Sequence, residues 1–434
     1  KDGDVAIHNP WMAYLTDVHN QRQFNHFNLV DIYAFGGSGT GPFAPLSLDI
    51  SPDTAQWARD FFAPYGGQRM PWIAVQVGAS DPMKAWRPEL FGQTLAALSR
   101  QTPVGYVFIG TESERKAIET AQMAYRQAGG RGPLCDAVGR TTLPQLAAVL
   151  AQCRLLLTND TGPMHLAVGV GTPVIDLSVG HVDFRETGPY GPGHWIVQPD
   201  MGCAPCGFDQ VCLHHACKDR LVPDQIAALC LHVLNGGAFP EKLTGIKIYR
   251  SRVDEDGLGS TELHAGREDP TVSWYGRFWR RFWFEQFTGR PSLVPMVSEP
   301  PPDWKESMAL LDRLMPLAAR LVSRAEELVR LTARRPLPIS TLQQMQLEES
   351  GERQTVVALS LQSPATASLA VALVRDTHND DGHELTGMAE CRLATYRRWQ
   401  KRLHTVAAGF RSFSTAQGFA PRGTTVAIPM ARIG

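Results

Sequence analysis

Asp160, Thr161, Gly162 and His165 sit where a short apolar run breaks into a Gly/Pro turn, inside LLLTNDTGPMHLAVGVGTPVIDL at residues 155–177. Residues 155–157 read as a buried strand, 164–170 as a short helix and 173–177 as a second strand. A strand–turn–helix aims unpaired backbone N–H groups at the positive end of a helix dipole, which suits a phosphate. The candidate donors are the N–H groups of Thr161, Gly162 and Met164, and Gly162 permits close approach of the ligand. Asp160 either accepts from ligand hydroxyls or organises the turn; a plain βα connection with Asp160 as its N-cap has the same outline. His165, one helical turn further on the same face, is a phosphate contact or a core histidine bonded to backbone. Upstream, Lys84 follows another apolar run and is the candidate cation, with Ser80 in the same loop able to donate to a phosphate oxygen. A solvated surface lysine is the alternative there.

Two further constellations could carry chemistry. Cys203, Cys206, Cys212 and Cys217 open with C-x-x-C and fit a tetrahedral metal knuckle holding structural iron or zinc, with His214 and His215 as substitute ligands. Buried or partly oxidised thiols are the alternative. Residues 273–290, SWYGRFWRRFWFEQFTGR, combine four Arg with eight aromatics. That mixture suits an amphipathic clamp with Arg stems over aromatic faces, an interfacial membrane helix, or stacking on nucleic acid. The clamp is the expected use, and no nucleic-acid partner is expected.

These residues need a scaffold, and the pattern around them is regular. Strands are expected at 72–77, 105–109, 154–157, 174–177 and 195–197. Helices are expected at 88–100, 113–127, 142–152, where Leu143, Leu146 and Leu150 share a face, and 223–234. Strands alternating with helices mean a parallel, doubly wound α/β sheet, whose ligands sit beyond the carboxyl ends of the strands. Residues 1–62 form no complete βα unit and include a Gly-rich turn at Gly36, Gly37, Ser38 and Gly39. Residues 239–302 read as an irregular, aromatic- and Arg-rich linker. Beyond it the chain is expected to be helical over 303–334, 342–373 and 383–413. The first of these has Leu310, Leu314, Leu317, Leu321, Leu328 and Leu331 on one face, a capping box of Asp303 with Glu306, and a kink at Pro316. The loop from Asp376 to Gly382 is a solvated turn, since it lacks the closing Glu of a calcium loop.

At 434 residues with 43% hydrophobic content the chain can build two or three domains around sizeable cores. A net charge of −1 exerts no global pull on nucleic acid or anionic membrane. No signal peptide and no run of 18 apolar residues is visible, which points to a reducing, cytoplasmic setting that disfavours disulfides. The chain begins Lys1-Asp2 with no Met, so its start is expected to be missing.

T-N-D-T-G-P-M-H-L-A at 158–167, with G-T-P-V at 171–174, resembles the nucleotide-sugar motif of glycosyltransferase family 9, the ADP-heptose:lipopolysaccharide heptosyltransferases. Gly78-Ala79-Ser80, then Lys84, Trp86, Glu89 and Phe91, resembles the first loop of that family's donor domain. The resemblance covers roughly residues 10–235. It implies a GT-B fold of two Rossmann-like domains, with residues 1–62 a remnant of the N-terminal acceptor domain, 63–238 the nucleotide-sugar-binding domain and 303–434 a helical extension. It implies inverting, metal-independent transfer of a heptose from ADP-heptose to a lipopolysaccharide core or related glycan. Variants of that reading are a protein acceptor, such as an autotransporter or flagellin, and a non-catalytic nucleotide-sugar-binding scaffold. The catalytic base belongs to the largely missing acceptor domain, so no base is assigned and this chain alone is expected to be inactive. Glu114 resembles the family's ribose-binding Glu, with Glu112 close enough to compete, and Thr141 aligns beside the adenine. The cysteine cluster resembles the iron finger of the autotransporter branch. Acceptors of this family lie at the inner membrane, which implies peripheral contact with it.

Overall fold

The computed structural model describes residues 7–18, 22–37, 45–207, 210–379 and 384–416. Ser38 and Gly39 of the Gly-rich turn, and residues 380–382 of the loop after Asp376, lie outside these. The chain opens with helices α1 (Pro10–Asp17), α2 (Leu29–Gly36) and α3 (Pro52–Phe62). It then divides into two compact units. One comprises Phe27–Ala34 and Gly39–Glu268, the other Lys1–His26, Phe35–Ser38 and Asp269–Gly434. Residues 1–62 therefore form no unit of their own.

The first unit is built on one sheet. Its elements run β1 (Trp72–Gln76), α4 (Pro88–Ser99), β2 (Gly105–Ile109), α5 (Arg115–Gln127), β3 (Leu134–Asp136), α6 (Leu143–Ala151), β4 (Leu155–Asn159), α7 (Gly162–Gly169) and β5 (Val174–Leu177). Then follow α8 (Phe184–Thr187), β6 (Trp195–Pro199), α9 (Ala216–Arg220), α10 (Pro223–Asn235), β7 (Ile246–Val253) and β8 (Gly259–Ala265). The strand order is β3-β2-β1-β4-β5-β6-β7-β8, parallel as far as β6. Strands β1 to β6 are mostly apolar because both faces are covered. Ile73, Val75, Leu155 and Leu157 face a core shared with Phe91, Leu95, Ile118 and Leu229. Trp72, Ala74 and Leu156 face the other, with Phe62, Leu150 and Met164. Leu143 departs from its expected face: at the first position of α6 it is 70% exposed, while Leu146 and Leu150 are buried.

Residues 239–302 are not an irregular linker. β7 and β8 form an antiparallel hairpin that extends the sheet beyond β6. The aromatic stretch is a single helix, α11 (Pro270–Thr288), capped by the Asp269 carboxylate, which accepts from the N–H groups of Thr271 and Val272. The hairpin signal was there to read: Ile246, Ile248 and the turn at Asp256-Gly257.

In the second unit α11 is followed by α12 (Trp304–Thr332), α13 (Ile339–Ser360), α14 (Pro364–His378) and α15 (Leu385–Ala416). The helix expected over 342–373 is two, broken before Pro364, which cannot donate within a helix. α12 continues through Pro316 as one helix of 29 residues. The capping box is absent. Asp303 makes no capping bond, and its carboxylate accepts from Tyr275 Oη at 2.9 Å and Ser307 Oγ at 2.9 Å. The aromatics of α11 are the core of this unit. Trp274, Tyr275, Trp279, Phe282, Trp283 and Phe284 are buried, and the three indole N–H groups donate to Glu299 O, Pro364 O and Ser368 Oγ. Those rings are spent on packing inside the unit, so their faces are not available for stacking on bases or for insertion into lipid. Among the described residues, no helix is long and apolar enough to cross a membrane.

Asp17 is a stability switch in this unit. It is 5% exposed and accepts from Arg375 Nη1, yet burial outweighs that partner and lifts its pKa from 3.8 to about 6. A raised carboxyl pKa means that the folded state holds the proton more tightly, so ionised Asp17 costs stability above pH 6 and the cost disappears as pH falls toward 3.8. Asp17→Asn is expected to stabilise the unit at about pH 8 by on the order of 3 kcal/mol, with the gain shrinking toward zero near about pH 4. Denaturant titrations of both proteins at the two pH values check this; a pH-independent difference would refute it.

Candidate functional site

The strand order reverses between β1 and β4, and in an open α/β sheet that switch point is where a crevice opens at the carboxyl ends of the strands. The two loops singled out in the sequence leave from those two strands. One contains Ser80 and Lys84, the other runs from Asp160 into α7. They are tied by a residue that the sequence reading passed over. Asn159, fully buried at the end of β4, donates from Nδ2 to Val77 O at 2.8 Å and Gly78 O at 3.2 Å, and its Oδ1 accepts from the Trp86 N–H at 2.9 Å. Trp86 then donates from its indole to Lys218 O in α9, and Lys218 Nζ returns a bond to Pro82 O. From the other side Gly180 backs the loop. At φ +69° it lies so close to Met83 O that a Cβ would collide with it, so only glycine fits.

Lys84, in this loop, is near enough to two carboxyls, Asp160 and Asp176, to oppose the rise of both. Asp160 is buried and accepts from Thr187 Oγ1. Burial raises its pKa, against the Thr187 bond and the nearby Lys84, His165 and His181. Asp176, on β5 beside Thr158 of β4, is fully buried, and neither of its carboxyl oxygens has a hydrogen-bond partner among the described residues. Burial and then the neighbouring Asp160 push it well above the ordinary value, with Lys84 opposing. Two acids this close cannot both ionise cheaply. His165 is biased neutral by burial, and Asp160 draws it back. The result is a lysine, an interacting acidic pair and two histidines, His165 and His181, near the start of a helix.

At that start the Thr161 side chain makes no capping bond to α7; its hydroxyl is within 3.3 Å of Thr158 Oγ1 and of Asn159 O. Gly162 is exposed, and nothing lies within 4 Å of where its Cβ would be. Met164 is not a donor. Its N–H bonds to Thr161 O at 3.0 Å and its side chain is buried in the core, because the first turn of α7 closes tightly.

Glu114 faces Gly78 so closely that a Cβ there would strike its carboxylate, and it accepts from Gln76 Nε2 at 2.8 Å. Its other oxygen accepts from the Thr111 N–H at 2.7 Å. Glu112 instead pairs with Arg115 on the exterior, so of the two candidates Glu114 lies at the end of the sheet. Ser80 is exposed in its loop, and Thr141 is half-buried just before the α6 cap, Thr142.

Cys203 is exposed, Cys206 and Cys217 are buried, and Cys217 belongs to the apolar core beside the sheet. Cys212 Sγ accepts from the His215 N–H at 3.3 Å. Among the described residues no three His, Cys, Asp or Glu side chains converge as metal ligands, and residues 208–209 of this loop lie outside them.

Residues 42–216 match the profile of Glycosyltransferase family 9 (heptosyltransferase). The chain is 46% identical over 148 residues to the lipopolysaccharide core heptosyltransferase OpsX of Haemophilus influenzae, covering 33% of this chain and 39% of that one. It is 27% identical over 158 residues to lipooligosaccharide heptosyltransferase 2 of Campylobacter jejuni, covering 36% and 48%. Among solved structures, E. coli ADP-heptose LPS heptosyltransferase II aligns with a TM-score of 0.36 at 20% identity over 43% of this chain and 53% of that one. The chain thus spans about half or less of the length of these curated relatives. Between its switch-point loops and that match, this chain carries a glycosyltransferase family 9 (heptosyltransferase) domain.

Proposed function

We propose that the sheet unit binds a nucleoside-diphosphate sugar, ADP-heptose, and that the protein transfers its heptose with inversion to a lipopolysaccharide core or related glycan at the cytoplasmic side. The observation that carries the reading is the loop holding Lys84, tied at both ends to Asn159 and backed by Gly180, at the β1/β4 switch point. Departure of the sugar builds negative charge on the diphosphate, and a fixed cation beside helix N–H groups stabilises that charge without a metal. In this reading Lys84, Ser80 and the N–H groups of Thr161 and Gly162 hold the diphosphate, Asp160 accepts from sugar hydroxyls, and Glu114 with Thr141 faces the nucleoside. The family match over 42–216 and the names of the relatives support it.

Calorimetric titration with ADP tests it. A charge-assisted contact in a desolvated site is worth about 1.5–3 kcal/mol, so Lys84→Ala is expected to weaken ADP roughly 10- to 100-fold. ADP affinity that is the same in Lys84→Ala and Asp160→Ala as in the parent would overturn the assignment.

A further inference from the structure

The helical unit, which the family match does not reach, contains a cleft of about 450 Å³ between α1, α14 and α15. Arg375, Asp376, Arg398 and Arg402 line its charged side, and Ala13 and Ala394 line its apolar side. Three guanidiniums here answer to two carboxylates. Arg375 donates to Asp376 Oδ1 at 2.9 and 2.6 Å and to Asp17. Arg402 donates to Asp376 Oδ2 at 3.1 Å, and Arg398 Nε stands 3.5 Å from the same oxygen. Among the described residues, one positive charge is left over.

The surplus is felt at Arg402. This residue is 9% exposed, lies over the Trp283 ring at 5.1 Å, and its buried Nε–H has no acceptor among the described residues. Burial and the neighbouring guanidiniums pull its pKa down to about 10. A buried N–H without a partner is costly, and native proteins usually satisfy it. Arg398 stands at the rim, 51% exposed, donating to Thr395 Oγ1 at 3.2 Å.

We propose that this cleft binds the phosphate group of a small organic phosphate, with Arg398 at the rim and Arg402 at the floor as its cationic ligands. Planar guanidinium forks match phosphate oxygens, and the volume falls within the range of small-molecule sites, roughly 300–1,000 Å³. A phosphate carries enough charge to neutralise the surplus, including the extra unit that appears when Asp17 takes up a proton. The walls formed by Ala13 and Ala394 suit an uncharged body attached to it.

The test is calorimetry on the full chain with inorganic phosphate, glycerol 3-phosphate and dihexanoyl phosphatidic acid, repeated on Arg398→Glu, Ala394→Phe and Lys84→Ala. The parent is expected to bind at least one probe, and Arg398→Glu is expected to weaken it about tenfold or more, the loss of one charged contact. Ala394→Phe, which fills the cleft without touching a charge, is expected to weaken the organic probes and decides the matter if Arg398→Glu fails to fold. Binding of the two soluble probes identifies a free phosphate source, and binding of phosphatidic acid alone identifies a lipid headgroup; either supports the site. No binding by any probe up to about 10 mM, the weak end of specific recognition, overturns it. So does affinity unchanged in both cleft variants, or lost in Lys84→Ala instead.

Discussion

Asn159→Ala is expected to destabilise the sheet unit by about 3 kcal/mol and to abolish measurable ADP binding, although Asn159 is assigned no contact with ligand. The side chain is fully buried and makes three bonds, two outward to Val77 O and Gly78 O and one inward from the Trp86 N–H. Alanine supplies none of them. Two carbonyls and one N–H are then stranded where water does not reach, and each unsatisfied group costs about 1–3 kcal/mol, less than additively because the loops relax. That relaxation is the functional part. The Val77–Trp86 connection carries Lys84, so freeing its two ends lets the cation leave the Asp160 turn. Asn159→Asp keeps the acceptor for Trp86 but adds a buried charge and removes both donors, so it is expected to be no better. Urea denaturation measures the stability and calorimetry the affinity. A loss under about 1 kcal/mol, an ordinary surface effect, together with ADP affinity like the parent's, would show that the loops hold without this latch.

Asn159 also shows where the sequence stops being legible. Its neighbours in the motif were read because turn chemistry is local: Thr161-Gly162-Pro163 announces a helix start wherever it occurs. Asn159 works through partners 73 to 82 residues away, and no local pattern reveals that. Asp176 is a different case, since an acid at the third position of the apolar strand Val174–Leu177 could only be buried on both faces, and a buried acid signals either a partner or a raised pKa. Motif position suggests a backbone donor at Met164, but the tight first turn of α7 uses that N–H internally, which depends on the turn's geometry and not on residue type. The α/β alternation over residues 72–177 was legible because strands covered on both faces must be apolar along their whole length. β7 and β8 sit at the edge of the sheet, alternate with polar residues, and so looked irregular. The cysteine spacing is a local pattern: C-x-x-C brings two thiols near each other, while the core position of Cys217 depends on how α9 packs, which spacing does not encode.

Trp283→Ala is expected to cost the helical unit about 4 kcal/mol, within the range for deleting a buried aromatic, and to be the most destabilising single change in α11. The indole is 1% exposed, stacks on Phe287 at 5.3 Å and on Trp279 at 6.0 Å, and donates to Ser368 Oγ at 2.7 Å. It is also the platform beneath Arg402. Truncation removes the packed rings' common neighbour, leaves the Ser368 hydroxyl without its donor and takes the aromatic face from a guanidinium that is already short of partners. Arg277, exposed on the same helix and, among the described residues, bonded to Ser273 one turn back, is the control. Arg277→Ala is expected to stay within about 0.5 kcal/mol of the parent. The pair separates the two uses of an Arg- and aromatic-rich helix. A surface that stacks on bases or inserts into lipid would lose ligand binding in Trp283→Ala while keeping its stability, whereas a packing helix loses stability first. Thermal or denaturant unfolding of the two variants reads the difference directly, and a Trp283→Ala protein as stable as the parent would mean that α11 does not form the core of this unit.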